Sequence, residues 1–275
     1  MNAKIAIALF SALFLFCCSQ PEEAALCGGK YFYNKQTEFC PFGYYEFPPK
    51  IYKKCNGEEF DPEIQVCSED GSKLLYHCNG IVYEHHSQFC SDNGVVDKEI
   101  FTDSRDNKEY KTVVIGKQTW MAENLNYETP DSQCYKDDPE NCAVYGRLYD
   151  WETALAACPE GWDLPSETDF DILFDEVGGY NEGSKLKTIN GWETPNYGYG
   201  YASDAFGFSA LPGGYISKEG ISMYIKKYGF WWSSREDKNT SAVYFQAEYD
   251  SSHMKFGYSN KLNKNSVRCI KHSFH

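Results

Sequence analysis

The clearest hydrophobic periodicity lies past the middle of the chain. Phe170, Leu173, Phe174 and Val177 fall at i, i+3, i+4 and i+7, which puts one apolar stripe on a helix. Ser166 sits where an N-cap belongs, Asp169 follows in the first turn, and Gly178-Gly179 ends the run. Trp151, Ala154, Leu155 and Cys158 repeat the spacing and predict a shorter helix, apolar on the face they share. Residues 109–115 and 117–120 read as a hairpin turning at Gly116, with Val and Thr in its arms. After the helices comes a Gly/Tyr-rich stretch over residues 191–201. Short strand candidates follow at 206–211, 230–233, 242–248, 253–258 and 266–270. Two short helices followed by antiparallel strands predict an α+β fold.

The chain opens on a different pattern. Lys4 precedes an apolar run over residues 5–16 that only Ser11 interrupts. A membrane-spanning helix needs ~20 apolar residues, so this run is too short to span and fits the core of an export signal. It ends at Cys17-Cys18-Ser19-Gln20, which resembles a bacterial lipoprotein signal whose cysteine is acylated and becomes the mature N-terminus. Leu15 three residues before Cys18, and the small Cys17 directly before it, favour Cys18; Phe16 makes Cys17 the poorer alternative. Residues 1–18 are therefore read as a signal peptide. The membrane becomes a partner through the lipid anchor, since several acyl chains hold where one binds only marginally. The expected place is the cell envelope, at the outer membrane, with secretion as the alternative.

Export changes how the cysteines read. The chain has 12, and an even number remains once Cys17 and Cys18 are set aside, as a disulfide framework requires. Within residues 19–97 three segments share one shape: Cys27-Gly-Gly to Cys40, Cys55-Asn-Gly to Cys67, and Cys78-Asn-Gly to Cys90. Each has an aromatic near its middle and an apolar residue just before its second cysteine. We read each as a small β-hairpin closed by its own bridge, Cys27–Cys40, Cys55–Cys67 and Cys78–Cys90, with turn chemistry at 34–36 and 61–63. Such a staple is worth ~3 kcal/mol in the chain-entropy model, which matters in units too small to bury a core. The repeats would serve as a stalk or as binding modules.

From about Lys98 cysteine thins out. Cys134 and Cys142 flank the acidic turn 136–141 and are expected to pair locally. Cys158 lies on the apolar face of its helix, and Cys269 shares one strand face with Val267. A Cys158–Cys269 bridge would tie the first helix to the final strand across the core.

Charge narrows the partners. With 40 acidic residues against 26 basic ones the net charge is −14, and Lys and Arg are scattered, so no nucleic-acid partner is expected. Aromatics are 17% of the chain, with 22 Tyr and 6 Trp, a supply that suits β-rich cores, interfaces and sugar stacking alike.

Several stretches recur in one family's order: residues 102–125 (Thr-Asp-Ser-Arg-Asp-Asn to Trp-Met-Ala-Glu-Asn-Leu), Tyr145-Gly-Arg-Leu-Tyr149, Ala157-Cys-Pro-Glu-Gly-Trp-Asp-Leu-Pro165, Gly207-Phe-Ser-Ala-Leu-Pro-Gly-Gly214, Trp231-Trp-Ser-Ser234 and Ser266-Val-Arg-Cys269. Over residues 101–271 the chain resembles the Fibrobacter succinogenes major paralogous domain family. The resemblance implies a C-type-lectin-like scaffold over residues 98–275, related in shape to the formylglycine-generating-enzyme fold and carrying the helix-to-last-strand disulfide. It implies little about activity, because that family has no agreed biochemical function. Many of its members look like surface-exposed lipoproteins.

No catalytic constellation stands out. Formylglycine-generating chemistry works through a late pair of reactive cysteines, and Cys269 is the only late cysteine here. Gly-x-Ser-x-Gly is absent. Carboxylate pairs such as Asp137/Asp138, Asp169/Asp171 and Asp175/Glu176 read as solvated turn and helix residues. His85 and His86 would point to opposite sides of an extended segment and read as surface residues. Lectin calcium triplets are missing: Thr194-Pro195-Asn196 lacks the carboxylate, and Trp232-Ser233-Ser234 replaces the second motif. No metal or cofactor is therefore expected.

What remains is recognition. The scaffold class binds ligands on the long loop before its last strands, where Trp192, Tyr197, Tyr199 and Tyr201 stand among glycines. Trp231 and Trp232 alternate across a strand, so one ring is expected in the core and the other at the surface. The expected function is a non-catalytic, lipid-anchored surface protein binding a polysaccharide or a surface protein. The alternatives are a structural envelope or adhesion protein, and a cryptic enzyme on the formylglycine-generating-like scaffold, which a free thiol at Cys158 or Cys269 would favour.

Overall fold

The computed structural model describes residues 65–68, 72–91, 93–193 and 202–271 in full, with Cys55 and the backbone of the strands between residues 24 and 60. The chain packs as two units, residues 1–84 and 85–275. Among the described residues no helix is long and apolar enough to cross a membrane.

Among the described residues, the first unit holds the short strands β1 (Ala24–Cys27), β2 (Tyr31–Asn34), β3 (Glu38–Phe39), β4 (Tyr52–Cys55), β5 (Glu58–Phe60), β6 (Gln65–Cys67), β7 (Leu74–Cys78) and β8 (Ile81–Tyr83). They form the antiparallel groups β1-β2, β3-β4-β5 and β6-β7-β8. The hairpins turn just after each repeat's first cysteine, not midway between its cysteines. Cys78 pairs with Ile81 across Asn79-Gly80, whose φ values of 50° and 82° are those of the two-residue turn that Asn-Gly favours because its twist matches the strands. The strand ending at Cys67 pairs instead with β7 of the next repeat. The Cys55–Cys67 disulfide is present and links the sheet of β4 to the sheet of β6, so it does not close a hairpin. Tyr76 and Tyr83 face each other across β7 and β8 with ring centroids 5.7 Å apart, a small buried aromatic core. Cys78 and Cys90 are each disulfide-bonded. The side chains of Cys27 and Cys40, and those of Cys17 and Cys18, lie outside the described residues.

The second unit begins before the expected boundary at residues 97/98. Its first hairpin, β9 (Gln88–Ser91) and β10 (Gly94–Asp97), belongs to it because Phe89 packs into its core. The remaining elements are β11 (Glu99–Thr102), β12 (Glu109–Ile115), β13 (Gln118–Met121), α1 (Pro139–Tyr145), β14 (Leu148–Tyr149), α2 (Trp151–Leu155), α3 (Glu167–Val177), β15 (Tyr215–Ile216), β16 (Ser222–Met223), β17 (Tyr228–Lys238), β18 (Ser241–Glu248), β19 (Lys255–Asn260), β20 (Asn265–Ser266) and β21 (Ile270–Lys271). Two sheets dominate, in strand orders β11-β12-β13-β21 and β14-β20-β17-β18-β19. The unit is a disulfide-stapled α+β fold.

Helix α3 follows its sequence signals closely. Ser166 N–H donates to Asp169 Oδ2 (2.8 Å), Asp169 N–H donates back to Ser166 Oγ (3.2 Å), and Gly178 closes the helix in the left-handed region. Phe170, Leu173, Phe174 and Val177 are all buried, each contributing roughly 2 kcal/mol by leaving water. Elsewhere the structure corrects the sequence reading. Helix α2 ends at Leu155, which is 42% exposed, so the buried face consists of Trp151 and Ala154, and Cys158 lies beyond the helix. The acidic turn 136–141 contains the start of α1, capped by Asp138 with Pro139 in the first turn. No strand forms over 206–211: Asp204, Gly207 and Ser209 all have positive φ, and the Asp204 carboxylate accepts from the Ser209 N–H (2.6 Å) and hydroxyl (2.5 Å). The last strand candidate splits into β20 and β21 around Val267, Arg268 and Cys269.

Two apolar layers fill the unit. In one, the α3 side chains meet Trp120, Phe208, Trp231 and Phe245; in the other, Trp151 and Ala154 of α2 meet Met121, Leu125, Tyr149, Trp162, Trp232 and Val267. Trp231 and Trp232 are both fully buried, one in each layer, so neither ring reaches the surface. Alternation along β17 does separate them, but both faces of the sheet are covered at that point. The Cys158–Cys269 bridge spans 111 residues of sequence, a closure worth ~4–5 kcal/mol in the chain-entropy model. Cys134–Cys142 is also formed.

Arg268 is fully buried where these elements meet. Its guanidinium donates to Asn124 Oδ1 from Nη2 (2.7 Å) and Nε (3.2 Å), to Met121 O (3.2 Å), to Ser209 O (3.1 Å) and to Phe208 O. It also stands 4.7 Å from the Phe208 ring centroid. Asn124 in turn accepts from Trp231 Nε1 (2.8 Å) and donates to Tyr145 O (2.8 Å).

Candidate functional site

A cluster of buried polar groups is the first place to look for chemistry. His85, expected at the surface, has a side chain only 10% exposed, with Nε2 3.1 Å from Asp204 Oδ2. Ser209 Oγ donates to the same oxygen (2.5 Å) and accepts from Lys98 Nζ (2.7 Å). A nucleophilic serine needs the imidazole between itself and the acid. Here the carboxylate itself holds the serine proton, and the lysine occupies the hydroxyl lone pair, so this arrangement does not activate Ser209. Burial pushes the Lys98 ammonium down, with Asp204 opposing.

The other sequence-flagged groups are engaged structurally. Asp169 caps α3, and Tyr180 OH donates to Asp171. Cys158 and Cys269 are bonded to each other, so neither presents a thiol. A shallow cleft of about 420 Å³ lies between Leu155, Asp163, Leu164, Ser166, Asp169 and Ser234, and its two carboxylates include the capping Asp169. Among the described residues no group of three or more His, Cys, Asp and Glu converges as metal ligands would.

A row of aromatic rings lies on the half-exposed part of the β17–β18 face. Period-2 alternation puts Tyr228, Phe230 and Trp232 on one side of β17, opposite Glu248, Gln246 and Tyr244 of β18. At Trp232 this face is core. Phe230, two residues earlier, is still buried, and the face begins to open only at the half-buried Tyr228, four residues earlier. Tyr228 and Phe230 stack with centroids 5.6 Å apart, Phe230 meets Tyr244 at 5.4 Å, and Tyr224 meets Tyr228 at 5.2 Å. Tyr215 closes the group, 5.3 Å from Phe230 and 6.0 Å from Tyr224.

Glycines hold these rings in place. A Cβ at Gly257 would come within 2.5 Å of the Tyr244 ring, so that ring lies flat over bare backbone. A Cβ at Gly229 would strike the Trp231 ring at 2.1 Å, and one at Gly214 would strike Met223 O at 2.3 Å. Tyr224 is 49% exposed yet sits at φ 66°, a left-handed conformation costing a bulky residue ~1–2 kcal/mol. Its turn is pinned by Lys226 N–H to Pro212 O (2.9 Å) and Glu193 N–H to Lys226 O (2.9 Å). A strained, exposed aromatic held by surrounding hydrogen bonds marks a candidate for function. Burial pushes the Tyr215, Tyr228 and Tyr244 phenols up, with nearby charge adding to the shift, so they stay protonated donors at neutral pH.

Of the ligand-binding candidates read from sequence, Trp231 and Trp232 are core. Trp192 is half-buried, its Nε1 donating to Ala210 O (3.2 Å), with Lys187 Nζ 5.2 Å from its ring centroid. Tyr197, Tyr199 and Tyr201 lie outside the described residues. Tyr215, Tyr224, Tyr228, Phe230 and Tyr244 were missed, although the spacing of Tyr228, Phe230 and Trp232 announces a shared face.

The matching family model is the Fibrobacter succinogenes major domain, over residues 113–271, more than half of the chain. The chain belongs to that family. No curated protein and no solved structure matches it. The family's motif segments map onto buried groups: Asn124, Phe208, Trp231 and Arg268 form the polar and aromatic centre described above, and Asp103 clamps Arg105 (2.7 Å), which donates to Ala157 O (2.9 Å). The aromatic row stands largely outside those segments.

Lys187 is 1% exposed and donates to Glu248 O and Ser251 O, both at 3.0 Å. Burial holds its ammonium down to about 8, against 10.5 ordinarily, with Asp250 and Glu248 opposing. The folded chain binds this proton less tightly than the unfolded one. This residue's contribution to stability is therefore lowest below pH ~8 and rises as pH climbs toward ~10.5. Denaturant unfolding at both ends of that window should show wild type gaining up to roughly 3 kcal/mol relative to Lys187→Met. A pH-independent difference between the two proteins would contradict the assignment.

Proposed function

We propose that the protein is a non-catalytic, lipid-anchored surface protein that recognises a glycan through the aromatic row of its second unit. The observation that carries this reading is the ring cluster in which exposed Tyr224 and half-buried Tyr215, Tyr228 and Tyr244 surround the buried Phe230, fixed by glycines and by a strained tyrosine. Rings offer sugar C–H faces an apolar partner, while Gln246 and the tyrosine hydroxyls supply hydrogen bonds at their edge. Gln246 Nε2 donates to Glu248 Oε1 (2.7 Å), which orients the amide beside the rings. Rigid rings lose little entropy on binding.

The second unit is read as a C-type-lectin-like scaffold. Support comes from its helices, its antiparallel sheet and the disulfide joining the segment after α2 to the last strands. The bonded state of Cys158 and Cys269 weighs against formylglycine-generating chemistry. The Gly/Tyr stretch over residues 191–201 is kept as a second candidate, and its Glu193 N–H donates to Lys226 O in the Tyr224 turn.

Purified, non-reduced residues 19–275 should bind at least one glycan in a broad screen. The Tyr224→Ala/Tyr228→Ala variant should lose tenfold or more in affinity, since each ring contact is worth ~0.5–1.5 kcal/mol. Unchanged binding by that variant, with loss in Tyr197→Ala/Tyr199→Ala/Tyr201→Ala, would move the site to the loop. For the anchor, full-length protein should incorporate labelled fatty acid and sediment with membranes, and Cys18→Ser should do neither. Labelling that survives Cys18→Ser but not Cys17→Ser would transfer the lipid to the alternative cysteine.

A further inference from the structure

We infer that the glycan is an uncharged polysaccharide. This rests on the glycan reading of the aromatic row and adds the class of ligand.

The charge around the rings carries the argument. The charged groups facing them are Glu219 beside Tyr215, and Glu248, Asp250 and Lys255 beside Tyr228 and Tyr244. Three lysines at the margin are already matched: Lys218 with Glu219 (3.8 Å), Lys227 with Glu193 (3.5 Å) and Lys255 with Glu248 (2.5 Å). Lys226 is the only further cation on the Tyr224 turn, and Asp250 stands against it in the balance. The surface is thus locally neutral on a chain of net charge −14. An anionic polymer would gain no local attraction to offset repulsion from the rest of the molecule, whereas an uncharged one meets neither. The polar groups within reach of a bound chain are tyrosine hydroxyls, the Gln246 amide and the Glu248 carboxylate, which together donate to and accept from sugar hydroxyls.

Affinity electrophoresis of the detergent-solubilised full-length protein tests this, with galactomannan, xylan and mixed-linkage glucan in one set of gels and polygalacturonate and alginate in another. At least one uncharged polymer should retard the protein. Retardation should persist in ~0.5 M salt, where surface charge is screened within a few Å. It should fall tenfold or more in Tyr224→Ala/Tyr228→Ala. Retardation by the polyuronates alone, or retardation that salt abolishes, overturns the uncharged assignment and leaves glycan binding standing. No retardation by any polymer, from protein shown to be folded, removes the glycan reading itself.

Discussion

One buried cation organises the second unit. Arg268 has no exposed surface, and it is held by neutral acceptors: the Asn124 side-chain oxygen and the backbone carbonyls of Met121, Phe208 and Ser209. A guanidinium stripped of water is expensive unless its donors are met, and its planar fork must find acceptors in fixed directions. Burial accordingly pulls its pKa down, while Glu123 and Asp204 pull it back from a distance. The acceptors come from two stretches of chain, residues 121–124 and 208–209, so satisfying one side chain fixes the end of β13, the loop at 204–209 and the link between β20 and β21 together. Asn124 is the pivot, because its one oxygen also accepts from Trp231 while its amide donates to Tyr145 O. The motif segments of the family thus converge on an interaction that shapes the fold.

The aromatic cluster is then a by-product of how far that core extends along the sheet. On one face of β17, Trp232 is sealed beneath α2 and its neighbours, Phe230 is still buried, and Tyr228 is half-buried. The same alternation that builds the core builds the exposed row. What distinguishes the two ends is the element lying over them, and the glycines at 214, 229 and 257 let rings and backbone approach closely there.

Much of the frame was legible in the sequence because local rules sufficed. Helix α3 carries its own cap, stripe and stop, and the β12–β13 hairpin turns at Gly116, whose φ is 58°. Readings that depend on partners were not legible. The repeats turn at Asn-Gly because local twist prevails over the symmetry of cysteine spacing, and a strand that looks self-contained pairs with its neighbour. Trp231 and Trp232 could not both be placed in core without knowing that each sheet face is covered there. Arg268 looked like one of many scattered cations, since nothing in its own neighbourhood announces carbonyls contributed from the Met121 and Phe208 segments. The aromatic row failed for the same reason: Tyr215, Tyr224 and Tyr244 come from three separate segments.

The most direct test of the central claim is a double-mutant cycle on Asn124 and Arg268, using Asn124→Ala, Arg268→Met and the pair, read by denaturant unfolding of the oxidised protein. A charge-assisted pair buried at this junction should show a coupling of about 2 kcal/mol, with each single variant losing more than that. Additive losses, within ~0.5 kcal/mol, would mean that the two side chains stabilise the fold independently and that no shared centre organises it.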